Sequence, residues 1–385
     1  MTTIALLKCD EYHLSTLKAK ILEGFSHLSL DPSVFRGRRV LIKPNLLNAS
    51  PVEKAVVTHP EFFRAVLQLV KAHGGRPLMA ESPAFQPLRK VMKKTGYERV
   101  IAEEGCEVAD PNETAVLFHQ EPAEYRRFEL AKALFDADLV LNLPKFKTHG
   151  LTYITGAVKN SFGLIQGLTK SQWHLKARSS EAFSGLLLDL YLALLKGFDP
   201  PKRYIHIMDA ITGLEGEGPG AAGHPKKIGA VVIGEDAVAV DSVAVSLAGL
   251  DKRKVHTLRS GEERGLGAAS LERIRIKGAH FEDFHIQDFV PSRATTGSHM
   301  ERWPLNTKTL KNFLMEKPVP LRARCTLCYQ CQGICPSGAI GREDGNKGVP
   351  RYDYDKCIRC YCCMEICPEA AITLKPGTLQ WLINR

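Results

Sequence analysis

The sequence has no stretch able to cross a bilayer. Its most apolar runs, Leu186 to Phe198 and Ile228 to Leu250, are broken by Asp189 and by Glu235, Asp236 and Asp241, and a spanning helix needs about 20 successive apolar residues. The opening MTTIALLKCDEYH has neither a basic stretch nor a long apolar one, so no secretory leader is expected. A P-loop and a G-x-G-x-x-G turn are also missing, which leaves nucleotide binding without a signal. Gly213-Leu-Glu-Gly-Glu-Gly-Pro-Gly220 is rich in glycine, but Glu215 and Glu217 would repel a phosphate there. The net charge is +10, yet the lysines and arginines are dispersed. No nucleic-acid module stands out and no nucleic-acid partner is expected. The surplus charge suits solubility or a basic cleft for an acidic substrate. Cysteine is almost absent from the first 324 residues, with only Cys9 and Cys106 there. That excludes a dispersed disulfide scaffold and points to a reducing, cytoplasmic location.

The other nine cysteines lie in the last 61 residues. They form Cys325-Thr-Leu-Cys328-Tyr-Gln-Cys331-Gln-Gly-Ile-Cys335-Pro336 and Cys357-Ile-Arg-Cys360-Tyr-Cys-Cys363-Met-Glu-Ile-Cys367-Pro368. Each reads C-x₂-C-x₂-C-x₃-C-P. This is the bacterial ferredoxin run, in which three cysteines hold one [4Fe–4S] cluster and the fourth crosses to the other. Three closely spaced thiolates wrap one corner of a cubane, and the longer step carries the fourth away. Cys325, Cys328, Cys331 and Cys367 are expected on one cluster, and Cys357, Cys360, Cys363 and Cys335 on the other. The runs are an internal repeat in which Tyr329 aligns with Tyr361 and Ile334 with Ile366. Cys362 aligns with Gln330, which cannot bind iron, so it reads as a plain thiol. Zinc sites usually close with four ligands, which disfavours zinc for eight cysteines in two copies.

At 385 residues the chain has room for two or three domains. Short apolar strands alternate with helical stretches from Thr3 to Ala248, which predicts an α/β fold with a mainly parallel sheet. Tyr204 to Asp209 reads as a strand that leads into the glycine-rich loop. Pro87 to Glu104 reads as a helix broken near Gly96. The expected division is an α/β domain over 1–290, a connector over 291–316 and a ferredoxin-like α+β two-cluster domain over 317–385. The connector has one short helix, from Thr307 to Met315, and Gly297-Ser-His-Met300 reads as ordinary loop.

Parallel α/β sheets bind ligands at the carboxyl ends of their strands. Lys43 follows Val-Leu-Ile, Glu81 follows Leu-Met-Ala, and Asp209 follows His-Ile-Met. Lys145, Lys147 and His149 follow Val-Leu-Asn-Leu-Pro. Each alone could be a solvated or capping residue. Four strands that all end in charge favour a shared site, with these six as candidate catalytic residues. Asn45, Lys159, Asn160 and Asp241 are candidate substrate-binding residues. Lys159 and Asn160 would suit an anionic group near a helix start.

Lys43-Pro-Asn-Leu-Leu, Leu143-Pro-Lys-Phe-Lys-Thr-His-Gly150, Ala157-Val-Lys-Asn160, Asp209-Ala-Ile-Thr-Gly-Leu-Glu-Gly and Ala239-Val-Asp241-Ser-Val-Ala together resemble the domain-of-unknown-function family 362, over about Arg39 to Leu250. Members often carry a C-terminal ferredoxin domain. The ferredoxin resemblance covers roughly Lys317 to Leu374 and implies low-potential electron transfer. The expectation is an iron–sulfur protein with two [4Fe–4S] clusters that feeds electrons to an acidic or carbonyl-bearing substrate in the α/β domain. The alternative is a ferredoxin-like carrier or maturation factor whose α/β domain only docks. A flavin or a further metal at the rim is permitted but not demanded. A ferredoxin or reductase is the expected redox partner.

Overall fold

The structure, a computed structural model, describes residues 1–167, 169–286, 288–294, 312–313, 315–342 and 348–377. Most of the expected short connector helix and the stretch Gly297 to Met300 lie outside the described residues. The main sheet starts with β1 (Thr2–Lys8), β2 (Arg39–Pro44), β3 (Arg76–Met79) and β4 (Glu107–Val108). A separate hairpin, β5 (Thr114–Phe118) and β6 (Arg127–Ala131), follows. The sheet resumes with β7 (Leu139–Leu143), β8 (Lys145–His149), β9 (Tyr153–Thr155), β10 (Arg203–Gly216), β11 (Gly223–Gly234) and β12 (Ile274–Gly278).

The strand order is β12-β1-β11-β10-β7-β2-β3-β4, with β8 and β9 attached beside β10. From β10 through β7, β2 and β3 to β4 every pairing is parallel. The sequence pattern explains this: Val40, Leu41 and Ile42 are all buried, as are Leu139, Val140 and Leu141, because helices cover both faces of a parallel sheet. Alternate residues then enter separate cores. Val40, Ile42, Leu139 and Leu141 face one, while Leu41 and Val140 face the other. The helix Ser180–Lys196 fills the second side. Ser179 caps it by accepting from the Ala182 amide at 3.0 Å. The break at Gly96 is real and has a steric cause. Its φ of +80° ends one helix and starts the next.

One stretch differs from the sequence reading. The first part of the glycine-rich segment is strand, since β10 runs to Gly216 and pairs antiparallel with β11 from Gly216↔Gly223. Ladder pairing with the neighbouring strand supplies the backbone hydrogen bonds that a loop would seek from water.

β10 also buries His206. Its Nδ1 accepts from Asn142 Nδ2 at 2.9 Å, and its Nε2 has no partner among the described residues. Burial holds its pKa down to about 3. The folded value lies below the ordinary one, so this contribution to stability is complete above pH 6.5 and lost as pH falls toward 3. His206→Gln should therefore flatten the decline of stability between pH 7 and pH 5, as read by urea unfolding; an unchanged slope would count against it.

The C-terminal part holds two small antiparallel pairs, β13 (Lys317–Pro320) with β16 (Ile372–Lys375) and β14 (Ile340–Gly341) with β15 (Arg351–Tyr352). Two short helices, Gln330–Ile334 and Cys362–Ile366, repeat one another. Leu327 and Tyr329 have φ of 58° and 53°, and their counterparts Arg359 and Tyr361 both have 61°. This region lies on the carboxyl edge of the parallel strands. Asn48 Nδ2 donates to Glu365 O at 3.0 Å, and Gln86 Nε2 donates to Gln330 Oε1 at 3.0 Å. Gly220 permits the approach, since a Cβ there would stand 2.5 Å from Glu365 O.

Candidate functional site

The turns of the C-terminal repeat gather the cysteines into two chambers. Cys325, Cys328, Cys331 and Cys367 line the outer one, where Cys328 is exposed. Cys335, Cys357, Cys360 and Cys363 line the inner one. Each chamber thus takes thiols from both runs: three and one in the outer chamber, and four and one in the inner, where Cys362 is the extra thiol. The donors are soft thiols, the type that iron–sulfur clusters need. Backbone amides support the crossing residues: Ala339 N donates to Cys335 Sγ and Ala371 N to Cys367 Sγ, both at 3.3 Å. The residues present fit the group.

A further cavity, of about 90 Å³, lies between the repeat and the α/β body. Ile334, Cys362, Glu365 and Ile366 form its wall on the cysteine side. Asn45, Glu81, Ser82, Thr155, Lys159 and Asn160 belong to the body's wall, joined by Lys170 and His174 from the helix Thr169–Lys176. Cys362 also lines the inner cysteine chamber, so one side chain borders both spaces.

The strand ends set the charges. Lys43 at the end of β2 donates to Glu81 Oε2 at 2.6 Å and to Pro44 O at 2.6 Å. Glu81 also accepts from the amides of Leu46 and Ser82. Both side chains are buried, and Gly163 makes room for them, since a Cβ there would stand 2.5 Å from Lys43 Nζ. Burial lowers the Lys43 pKa against the pull of Glu81. Lys147 donates to Asn45 Oδ1 at 2.7 Å and to Val56 O at 2.8 Å, and burial drives its pKa well down. Asn45 in turn donates to Asn160 Oδ1 at 2.9 Å, so Lys147 reaches the cavity wall through Asn45.

Lys159 is different. It lines the cavity with no hydrogen bond or ion pair to a described residue, and burial lowers its pKa. Lys170 donates to the carbonyls of Ser82 and Gly163. Burial, followed by the nearby Lys43 and Lys159, opposes the pull of Glu81 and brings Lys170 to about 7. His174 stacks on Phe183 with ring centroids 4.3 Å apart, and burial holds it neutral with a pKa of about 3. Its Nδ1 and the Thr155 hydroxyl oxygen are buried without a partner among the described residues. Three buried polar atoms without a hydrogen-bond partner among the described residues, His174 Nδ1, Thr155 Oγ1 and Glu365 Oε1, and the Lys159 amine surround one cavity, which matches a site built for a polar ligand.

His149 faces the repeat. Its Nδ1 accepts from the Leu151 and Thr152 amides, which puts the proton on Nε2. Nε2 lies 3.2 Å from Glu365 Oε1, but the two are not aligned as a hydrogen bond. Burial holds the imidazole neutral and raises the Glu365 pKa, so this contact is no ion pair.

The structure therefore brings Asn45, Glu81, Lys159 and Asn160 onto one cavity, with Lys43 and Lys147 directly behind them. Six of the ten predicted residues do not line it: Lys43 and Lys147 stand behind the wall, His149 faces the repeat, and Lys145, Asp209 and Asp241 lie elsewhere. Lys145 and Asp209 form a closed pair at 2.8 Å, shielded by Tyr12 and His59. Asp241 lies under the helix Ala157–Asn160 and accepts from the Ala157 and Val158 amides at 2.5 and 3.1 Å. The physical reason is the fold of the segment after β7. β8 pairs with both β10 and β9, and its three buried charged side chains are each taken up by different partners: Lys145 by Asp209, Lys147 by Asn45 and Val56 O, and His149 beside Glu365. Sequence reading missed Ser82, Lys170, His174 and Glu365. Lys170-Ser-Gln-Trp-His174 carries no periodic signal, and Glu365 sits between cysteines of the second run with no pattern of its own.

Residues 40–246 match the family described as domain of unknown function (DUF362). The chain belongs to the DUF362 family. Residues 317–368 of this DUF362 protein match the 4Fe-4S dicluster domain, so it is an iron–sulfur protein of ferredoxin type. It is 30% identical over 272 residues to the thylakoid-associated protein sll1697 of Synechocystis sp., a match that covers 70% of this chain and 82% of that one. Among solved structures it is similar to a Thermotoga maritima protein, with TM-score 0.39, 15% identity and coverage of 63% of this chain and 61% of that one. It is also similar to the lactate racemase apoprotein of Thermoanaerobacterium thermosaccharolyticum, with TM-score 0.40, 12% identity and coverage of 64% and 57%. The DUF362 protein thus spans less than two thirds of either solved chain. No helix among its described residues is long and apolar enough to cross a membrane.

Proposed function

We propose that this protein passes low-potential electrons through two [4Fe–4S] clusters to a small anionic or carbonyl-bearing substrate held in the cavity between repeat and body. The observation that carries this reading is the place of Cys362, on the wall of both the inner cysteine chamber and the cavity. When bound, each cluster takes up and returns one electron. The exposure of Cys328 supports the outer chamber as the side where a redox partner, such as a ferredoxin or reductase, would deliver electrons. A reducing cytoplasmic compartment suits such chemistry.

The chain's own residues supply binding and protons. Lys159 provides an unpaired positive charge for a carboxylate. Thr155 and His174 present buried polar atoms that a bound oxygen would satisfy. Reduction of a carbonyl to an alcohol consumes two electrons and two protons. Lys170, near 7, is able to release a proton at neutral pH and take it back from water.

Anaerobically prepared protein should hold about eight irons, and dithionite should bleach its broad visible band. Zinc with negligible iron after anaerobic reconstitution would overturn the cluster assignment. Glyoxylate and oxalate are suitable probes of the cavity. Lys159→Met should weaken the binding of either at least tenfold, about 1.4 kcal/mol, measured by calorimetry on the loaded protein. Equal binding by wild type and variant would remove the anion site and favour the carrier reading.

A further inference from the structure

The two cysteine runs differ at one buried position. Leu327, between Cys325 and Cys328, aligns with Arg359, between Cys357 and Cys360. Both have the same left-handed backbone, at φ 58° and 61°, so the repeat presents two versions of one turn. Arg359 is only 2% exposed, among the largest fully buried side chains of the protein. Its Nη2 donates to Asn312 Oδ1 at 2.6 Å, and its Nη1 reaches Cys357 O at 3.5 Å. The guanidinium lies over the Tyr354 ring, 5.3 Å from the centroid. Its Nε is buried without a hydrogen-bond partner.

No carboxylate among the described residues lies within ion-pair distance of Arg359. Asp355 is reached only indirectly, through Asn312. A guanidinium cannot shed its proton, and a buried charge without a counter-charge is costly. Arg359 does not itself line the inner chamber, but its chain neighbours Ile358 and Cys360 do, so a cluster held there would bring negative charge beside the guanidinium. A [4Fe–4S]²⁺ core with four thiolates carries a net charge of −2, and its one-electron reduced form carries −3.

We infer that Arg359 is the internal counter-ion of the inner cluster and raises the reduction potential of that cluster. The inference rests on the two-cluster reading. A fixed cation stabilises the −3 state more than the −2 state, and burial keeps the interaction from being screened. The outer chamber has an apolar side chain at the equivalent position and draws what polarity it has from solvent at Cys328. Net charge and solvent exposure are separate controls on cluster potential. Arg359 supplies the first on the side that faces the cavity, where an electron must arrive to be used.

The test is an anaerobic redox titration of the fully loaded protein, followed by electron paramagnetic resonance. Arg359→Leu copies the outer turn, and Arg359→Lys keeps the charge. In the Leu variant one of the two reduction steps should move to lower potential while the other stays. The Lys variant should lie close to wild type. Leu327→Arg, the reciprocal change at a half-buried position, should raise the other step and guards against misfolding of the Leu variant. With about eight irons retained, unmoved steps in Arg359→Leu and Leu327→Arg would overturn the counter-ion role yet leave the two-cluster reading intact. A wild-type protein with a single reduction step and about four irons would instead remove both.

Discussion

Cys360→Ala should cut the iron content to about half and abolish reduction of any substrate bound in the cavity. Cys360 is one of the four expected ligand thiols of the inner chamber, and that chamber shares Cys362 with the cavity. Loss of the inner ligand set leaves the outer four, Cys325, Cys328, Cys331 and Cys367, in place. The variant should therefore still bleach in part with dithionite but deliver nothing to the cavity. Cys362→Ser is the matched control. Cys362 is not needed to complete either set of four, so this variant should keep its iron. Iron analysis and the dithionite spectrum read both results. Full iron in Cys360→Ala, or loss of iron in Cys362→Ser, would break the assignment of the inner set.

The second large effect lies away from the cysteines. Asp209→Leu should destabilise the protein by about 3–5 kcal/mol, because it strands Lys145 in the interior. Asp209 accepts from Lys145 and Tyr12 at 2.8 Å and from the His59 amide at 3.0 Å. Tyr12 also accepts from Lys145 and from the Thr212 amide, and its ring stacks on His59 with centroids 3.8 Å apart. Burial already lowers the Lys145 pKa, and removal of its partner would lower it further. In the double variant Lys145→Met/Asp209→Leu much of the lost stability should return, since no uncompensated charge remains. Urea unfolding measures all three proteins. A single variant within about 1 kcal/mol of wild type would show that the pair is not a structural pin, and would return Asp209 and Lys145 to consideration as reactive groups.

This pair illustrates what a sequence conveys about a site. Charge at the ends of Lys43, Glu81, Lys145 and Asp209 strands was legible, because short apolar runs stop where the polar residue starts. Which of these side chains meet a cavity was not legible. Lys43 with Glu81 and Lys145 with Asp209 are alike on paper, each a lysine and a carboxylate from different strands. In the fold both are buried ion pairs, but Glu81 borders the cavity and Asp209 is sealed by Tyr12 and His59. Tyr12 is 197 residues from Asp209, so no local pattern links them.

The sequence by itself determined the ligand chemistry and the layered fold. Cysteine spacing sets which three thiols of a run can wrap a cubane, since that spacing is local geometry, while the fourth is contributed by the other run. Continuous apolar runs alternating with helices require a sheet covered on both faces, since hydrophobic burial acts on every strand alike. Only the tertiary structure decided that the repeat sits on the carboxyl edge of the parallel strands, and that Lys159, Lys170, His174 and Cys362 share a cavity there. It also decided that Arg359 is buried while its repeat partner Leu327 is not. These outcomes depend on contacts between segments far apart in the chain, such as Asn48 with Glu365 over 317 positions. Their energies come from packing and desolvation that no local spacing encodes.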